Sequence, residues 1–265
     1  MEITQVIGYL GALLIGVVLG LVGGGGSILT VPILVYLLMI NPITATAYSL
    51  FVVGISSAFG TFQNIKKDLI DFRTAFVFAI PAFISVYITR RFIVPAIPDV
   101  VFTFGNFVLT KRIAIMVFFA LIMLFAAISM IRERKAISQT KERVQFNYLV
   151  ITLEGVVVGV LTGIVGAGGG FLIIPALVLL AKLPMKKAVA TSLLIIAIKS
   201  LLGFIGDIEN LDIDWAFLLT FTSFSVLGIF LGTYVSNFID GKKLKKSFGY
   251  FVLLMAVYIL FKELF

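Results

Sequence analysis

The sequence contains no cysteine and no histidine, and Asp, Glu, Lys and Arg together make up only 13% of its 265 residues. Without cysteine there is no disulfide, no thiol nucleophile and no thiolate metal site. Without histidine the commonest general base and metal ligand is missing too. An intramembrane hydrolase would have to use a Ser-Lys pair or paired aspartates, and the aspartates cluster at loop edges rather than in mid-span. No glycine cluster ends in Gly-Lys-Ser or Gly-Lys-Thr, so a Walker-type phosphate loop is excluded and no ATP machinery is expected. No cofactor or metal is called for. No basic residue precedes the first apolar run, so a cleaved signal peptide is not expected.

What remains is overwhelmingly apolar. Hydrophobic residues make up 61% of the chain and the mean hydropathy is +1.17, which defines an integral membrane protein with the lipid bilayer as its surroundings. The net charge of +8 would suggest nucleic acid in a soluble chain. Here the basic residues fall in short runs between apolar segments, where they orient spans in the bilayer, and no nucleic-acid partner is expected.

Two glycine clusters interrupt the apolar runs. Gly23, Gly24, Gly25 and Gly26 lead into Ser27 and Pro32; Gly166, Ala167, Gly168, Gly169 and Gly170 lead into Pro175. An offset of 143 matches Gly16 to Gly159, Gly20 to Gly163, Gly23 to Gly166, Gly26 to Gly169 and Pro32 to Pro175 without a gap. The same offset matches Ser49 to Ser192, Gly60 to Gly203 and Asp71 to Asp214. The chain is therefore an internal duplication: a first repeat over 1–131, a charged linker over 132–147 and a second repeat over 148–265. Glycine takes positive φ at no steric cost, so both clusters are expected to turn the backbone sharply.

The first apolar stretch, about Gly8 to Leu38, would be roughly 46 Å long as one helix, well beyond a hydrocarbon core of about 30 Å. It is either a steeply tilted broken span or a re-entrant hairpin with its tip at the glycines. Spans follow at about Thr44 to Phe62, Phe72 to Ile93 and Arg112 to Ile131. The second repeat has a broken stretch from Tyr148 to Leu183, then Ala188 to Ile205, Trp215 to Val235 and Phe248 to Leu264. Matching Arg112 to Lys246 lowers the offset to 134, so the first repeat carries an insertion with Pro95, Pro98 and Asp99, expected as an external loop.

Basic residues choose between the two forms, because cytoplasmic loops collect them. If the broken stretches are hairpins, each repeat crosses the membrane three times, the repeats are inverted and the termini lie outside. The cytoplasmic side then holds Lys66, Lys67, Arg73, Arg132, Arg134, Lys135, Lys141, Arg143, Lys182, Lys186, Lys187, Lys242, Lys243, Lys245 and Lys246, fifteen of the 21 basic residues. Outside lie Arg90, Arg91, Lys111, Arg112 and Lys262, with an acidic loop of Asp207, Glu209, Asp212 and Asp214. The expected fold is an all-α membrane protein of two inverted repeats, each a glycine-broken re-entrant hairpin followed by three transmembrane helices.

Inverted repeats with broken helices recur in secondary transporters, whose half-helix amino termini meet substrate near the midplane. Here the half-helices starting near Ser27 and Gly170 would approach from opposite faces, and amino termini favour anions. The expected partner is a small anionic substrate held by Gly24, Gly25, Gly26, Ser27, Gly168, Gly169 and Gly170. Lys199, aligned with Ser56 and two turns beyond Ser192, is the notable charge at membrane depth; it could neutralise the anion or snorkel to an interface. Glu154 is a weaker candidate for carrying a coupling proton; sodium is the alternative coupling ion. Asn41, Gln63, Asn64 and Asp207 lie near helix ends as caps or vestibule residues. Gly16, Gly20, Gly155, Gly159 and Gly163 have the small-xxx-small spacing of helix contacts.

Gly23 to Ser27 with Pro32, Gly166 to Gly170 with Pro175, and Ala47 to Leu50 with Ala190 to Leu193 resemble the sulfite exporter TauE/SafE family over essentially the whole chain. The resemblance implies an exporter of sulfite, a thiosulfate-like anion or an organosulfonate in the cell's inner membrane, and adds Ser49 and Ser192 to the candidate site. A passive anion channel, or a carrier of another small organic anion, is the alternative. One departure is Tyr48, where the second repeat has Thr191, which makes the two hydroxyl-bearing segments non-equivalent.

Overall fold

The computed structural model describes residues 3–104, 107–131, 148–166, 168–179, 181, 183–236, 238 and 241–264. Helix α1, Ile3–Val22, runs into the first glycine cluster. There the chain reverses through a 3-10 helix over Gly23–Leu29 and returns as α2, Gly26–Leu37, which ends as a π-turn over Ile33–Leu37. Leu38 lies against Gly8, Ile33 against Gly11 and the α1 backbone at Leu19 against Gly26. These pairs run antiparallel, so the first stretch is the hairpin form rather than one tilted span.

Three long helices follow: α3, Pro42–Ile65; α4, Phe72–Ala96; and α5, Lys111–Ile131. Asn41 caps α3 by accepting from the Ile43 N–H, with Pro42 at the first helical position, where a missing N–H is harmless. The Asp71 carboxylate caps α4 by accepting from Thr74. The second repeat is α6, Tyr148–Val165; α7, Gly170–Leu179; α8, Met185–Ile208; α9, Trp215–Val235; and α10, Gly241–Leu264. Asp214 caps α9 as Asp71 caps α4. The 143-residue offset maps both ends of α3 onto those of α8. The linker 132–147 lies outside the described residues.

The insertion is a departure from the expected loop. Val100–Phe104 and Phe107–Thr110 form two antiparallel strands, β1 and β2. The signal was in the sequence: a Gly105-Asn106 dipeptide between two runs rich in Val, Phe and Thr is a hairpin pattern.

The repeats are interleaved. Helix α1 packs on α9, and its repeat mate α6 packs on α4; α3 packs on α8 and α5 on α10. This set of pairs maps onto itself when the repeats are exchanged. Gly54 meets Leu201, while Gly60 meets Leu193, so α3 and α8 cross antiparallel. The expected small-residue contacts are all present. Gly16 and Gly20 lie on the α9 backbone at Ser225 and Thr233, and Gly155, Gly159 and Gly163 lie on α4 at Phe78, Ala82 and Thr89. With lipid on one side and protein on the other, close van der Waals contact is a main source of helix association.

Two hydrogen bonds tie the ends of α3 and α8 to the opposite repeat. The Asp71 N–H donates to Thr191 Oγ1 at 3.0 Å, and the Asp214 N–H donates to Tyr48 Oη at 2.7 Å. This corrects the expected non-equivalence of Tyr48 and Thr191: their hydroxyls accept from equivalent aspartates. Gly228 on α9 faces the Leu13 carbonyl of α1, and a Cβ there would lie 2.9 Å from the Val17 nitrogen. Gly228→Leu is expected to force α1 and α9 apart at a cost of about 1–3 kcal/mol, read as a lower unfolding temperature in detergent.

Candidate functional site

The two glycine breaks meet. Gly24 at the start of the first returning segment and Gly170 at the start of α7 are in backbone contact; a Cβ on either would overlap the other's main chain. Around this crossing α3 and α8 present symmetry-related faces. Thr46 lies on Gly166 and Val53 on Gly168, while Val189 lies on Gly23 and Ile196 on Gly24. Ser49 falls between Thr46 and Val53, and Ser192 between Val189 and Ile196, at the three- and four-residue spacings that share one helix face. Both serines therefore line the crossing. The Ser192 hydroxyl donates to the Val189 carbonyl at 2.7 Å. The buried Ser49 hydroxyl has no hydrogen-bond partner among the described residues.

Backbone conformation refines the expected roles of the glycines. Positive φ occurs at Gly23 (69°) in the first break and at Gly166 (72°), Gly168 (62°) and Gly169 (61°) in the second. Gly24, Gly25 and Gly26 lie inside the 3-10 turn that follows Gly23 and leads through Ser27 into the returning helix. One left-handed residue suffices there because the chain winds straight into the 3-10 turn. The second break uses three before α7 begins at Gly170. The buried Ser27 hydroxyl donates to the Gly24 carbonyl at 2.7 Å and lies beside Gly168.

Lys199 is drawn into this site. It is fully buried, its ammonium donates to Thr162 Oγ1 at 3.0 Å, and a Cβ on Gly169 would lie 2.9 Å from Nζ. It does not snorkel. Among the described residues no carboxylate pairs with it. In the first repeat the equivalents of Thr162 and Lys199 are Leu19 and Ser56, and Ser56 bonds Ser225 across to α9. The cation thus belongs to one break only. Glu154 is half-buried on α6, eight residues from Thr162 and so about 12 Å along the helix axis; the structure does not bring it to the crossing.

Sequence reasoning missed two participants. Thr162 is a polar residue at membrane depth, as Lys199 is, and is matched to the apolar Leu19 in the other repeat. Arg90 was counted with Arg91 among the outer-side charges at the end of a span, with no part in the site. It is fully buried instead, with Nη1 2.9 Å from Thr46 Oγ1 and 3.6 Å from Asp207 Oδ1. Only Arg91 lies at the surface, pairing with Glu209 at 2.9 Å. Arg90 continues the buried stripe of α4, four residues after Val86 and eight after Ala82, while Arg91 falls off it. The expected end-of-helix role of Asp207 becomes a buried ion pair.

Five of the described helices, α3, α4, α5, α8 and α9, are long and apolar enough to cross a membrane, and together with the two broken hairpins they define a multi-pass membrane protein. The chain belongs to the sulfite exporter TauE/SafE family, whose profile matches residues 9–259. It is 26% identical over 259 residues to a probable membrane transporter protein of Xylella fastidiosa (strain Temecula1), covering 94% of this chain and 92% of that protein. It is also 26% identical over 280 residues to the probable membrane transporter protein YunE of Bacillus subtilis, covering 96% of each. No solved structure matches the chain. These relatives make it a membrane transporter of the TauE/SafE type.

The crossing leaves no room for a side chain at its centre. Gly24→Ala and Gly170→Ala are each expected to destabilise the protein by about 1–3 kcal/mol and to abolish transport. Gly8→Ala, whose added methyl meets only the flexible end of Leu38, is expected to be tolerated. Equal unfolding temperatures for all three variants would show that the crossing is loosely packed.

Proposed function

We propose that this protein is a secondary transporter that exports a small sulfur-containing oxyanion, such as sulfite, thiosulfate or an organosulfonate, across the cell's inner membrane. The observation that carries this reading is the fully buried Lys199 at the meeting point of two broken helices, with a hydroxyl as its hydrogen-bond partner. An ammonium in an apolar interior without a counter-charge is expensive. An anion arriving beside it removes that cost, and the amino termini of the first returning segment and of α7 add their partial positive charge. The family name speaks for sulfite; the site chemistry speaks for any small anion with several acceptor oxygens.

Transport follows from the contact itself. With Gly24 against Gly170 the passage is closed at the crossing, so the anion gains its place only when the two breaks separate. Ser27, Ser49, Ser192 and Thr162 stand around them; the Ser49 hydroxyl is unpartnered among the described residues, and the other three can turn from the backbone carbonyls they now bond. Inverted orientation of the repeats is part of the proposal. It is supported by the antiparallel crossing of α3 and α8 and by the contact of Arg90 and Arg91 with Asp207 and Glu209, which the basic-residue count places on one face. A proton or sodium ion drives the cycle, with Glu154 as the candidate proton carrier; flux indifferent to both gradients in proteoliposomes would instead make the protein a channel.

Lys199→Met is expected to weaken sulfite binding roughly tenfold or more while leaving the unfolding temperature close to that of the parent. Calorimetric titration of the purified protein checks this, and unchanged affinity removes Lys199 from the site. Orientation is tested separately by single cysteines in this cysteine-free chain. Asp212→Cys is expected to react with an impermeant maleimide in intact cells and Ser138→Cys is not; the reverse pattern overturns the orientation.

A further inference from the structure

We propose that Arg90 is a second oxyanion-binding station, at the end of the bundle where α4 and α8 finish, and that Asp207 beside it is the charge with which an arriving anion competes. The inference rests on the reading of this chain as an anion transporter and names a site that reading does not use.

Arg90 is the largest of the fully buried side chains. Its guanidinium makes one hydrogen bond, from Nη1 to Thr46. The approach of Nη1 to Asp207 Oδ1, at 3.6 Å, is a charge contact too long for a hydrogen bond. Nε and Nη2 have no acceptor among the described residues, and Asp207 Oδ2 has no donor. Those two nitrogens form the side-on fork of the guanidinium, which matches two oxygens of a carboxylate, phosphate or sulfonate. A buried fork left empty is costly. The fork lacks an acceptor, and the surrounding side chains among the described residues do not supply one. Thr46 on α3 and Asp207 on α8 complete its polar surroundings.

The station leads to the crossing. Thr46, which accepts from Arg90, packs on Gly166; three residues further on, Gly169 lies beside the Lys199 ammonium. The turn of the second break therefore reaches from one buried cation to the other. Asp207 and Lys199 are eight residues apart on α8, roughly 12 Å. The equivalents in the other repeat are Thr233 for Arg90, Asn64 for Asp207, Ser56 for Lys199 and Val189 for Thr46, none of them charged. Only one end of the pathway is provided with cationic steps. An anion docking on the fork meets the like charge of the Asp207 carboxylate, held beside the neighbouring Nη1, and then passes to Lys199.

The test is sulfite titration of the full-length protein in nanodiscs by calorimetry under anaerobic conditions, with transport assayed in oriented proteoliposomes. Arg90→Gln is expected to weaken sulfite binding roughly tenfold and to raise the KM for sulfite added at the Asp207 face while leaving the KM at the opposite face unchanged. Arg90→Lys is expected to restore little, because an ammonium has no two-nitrogen fork. Asp207→Asn, which keeps the shape and removes the competing charge, is expected to tighten binding about threefold. Weaker or unchanged binding in Asp207→Asn overturns the proposal even if Arg90→Gln fails to fold. Parental affinity in a folded Arg90→Gln protein overturns it too, and leaves the transport reading standing if Lys199→Met has lost binding. A parent protein that binds neither sulfite, thiosulfate nor methanesulfonate overturns both.

Discussion

Inside a bilayer every backbone N–H and C=O needs a partner within the protein, so a helix can be interrupted only where other protein covers the interruption. That constraint governs this molecule. Each repeat contains a break that it cannot shelter alone. The break after α1 is covered by α8 and by Gly170 of the second repeat, and the break after α6 by α3 and by Gly24 of the first. The exchange of α1 onto α9 and of α6 onto α4 follows from the same need, since it carries each hairpin into the other repeat. Two copies of one unit become one closed interior because neither is complete without its mate.

The parts legible in the sequence are those set by local chemistry and by duplication. The 143-residue register aligned α3 with α8 and α4 with α9, since equal sequences cap and pack alike: Asp71 and Asp214 cap their helices in the same way. Lys199 was visible as a charge at membrane depth, and its burial beside Gly169 is a consequence of its register on α8. Hairpin against tilted span was undecided from length, and the pairing of Leu38 with Gly8 settles it.

What stayed hidden had two causes. Arg90 falls four residues after Val86 on the buried stripe of α4 and so enters the interior while Arg91 leaves it, but its position beside Arg91 in a basic pair pointed to the membrane edge. The distribution of left-handed glycines was equally hidden. Gly26 and Gly169 are matched in the repeat, yet only Gly169 has positive φ, because the first break winds directly into a 3-10 turn. Identical residue types do not force identical backbone when several arrangements suit glycine.

The unequal polarity of the two breaks has an energetic corollary. A carrier made of two identical repeats exchanging conformations would have inward-open and outward-open forms of equal free energy, since each is the other viewed from the opposite face. Here Lys199 and Thr162 sit where the first repeat has Ser56 and Leu19, and Arg90 where the second has Thr233. Exchanging the conformations then rehydrates different side chains on each stroke. The degeneracy is lifted, and an empty carrier of such a design has a preferred resting face whose population a substrate redistributes by binding one form better than the other.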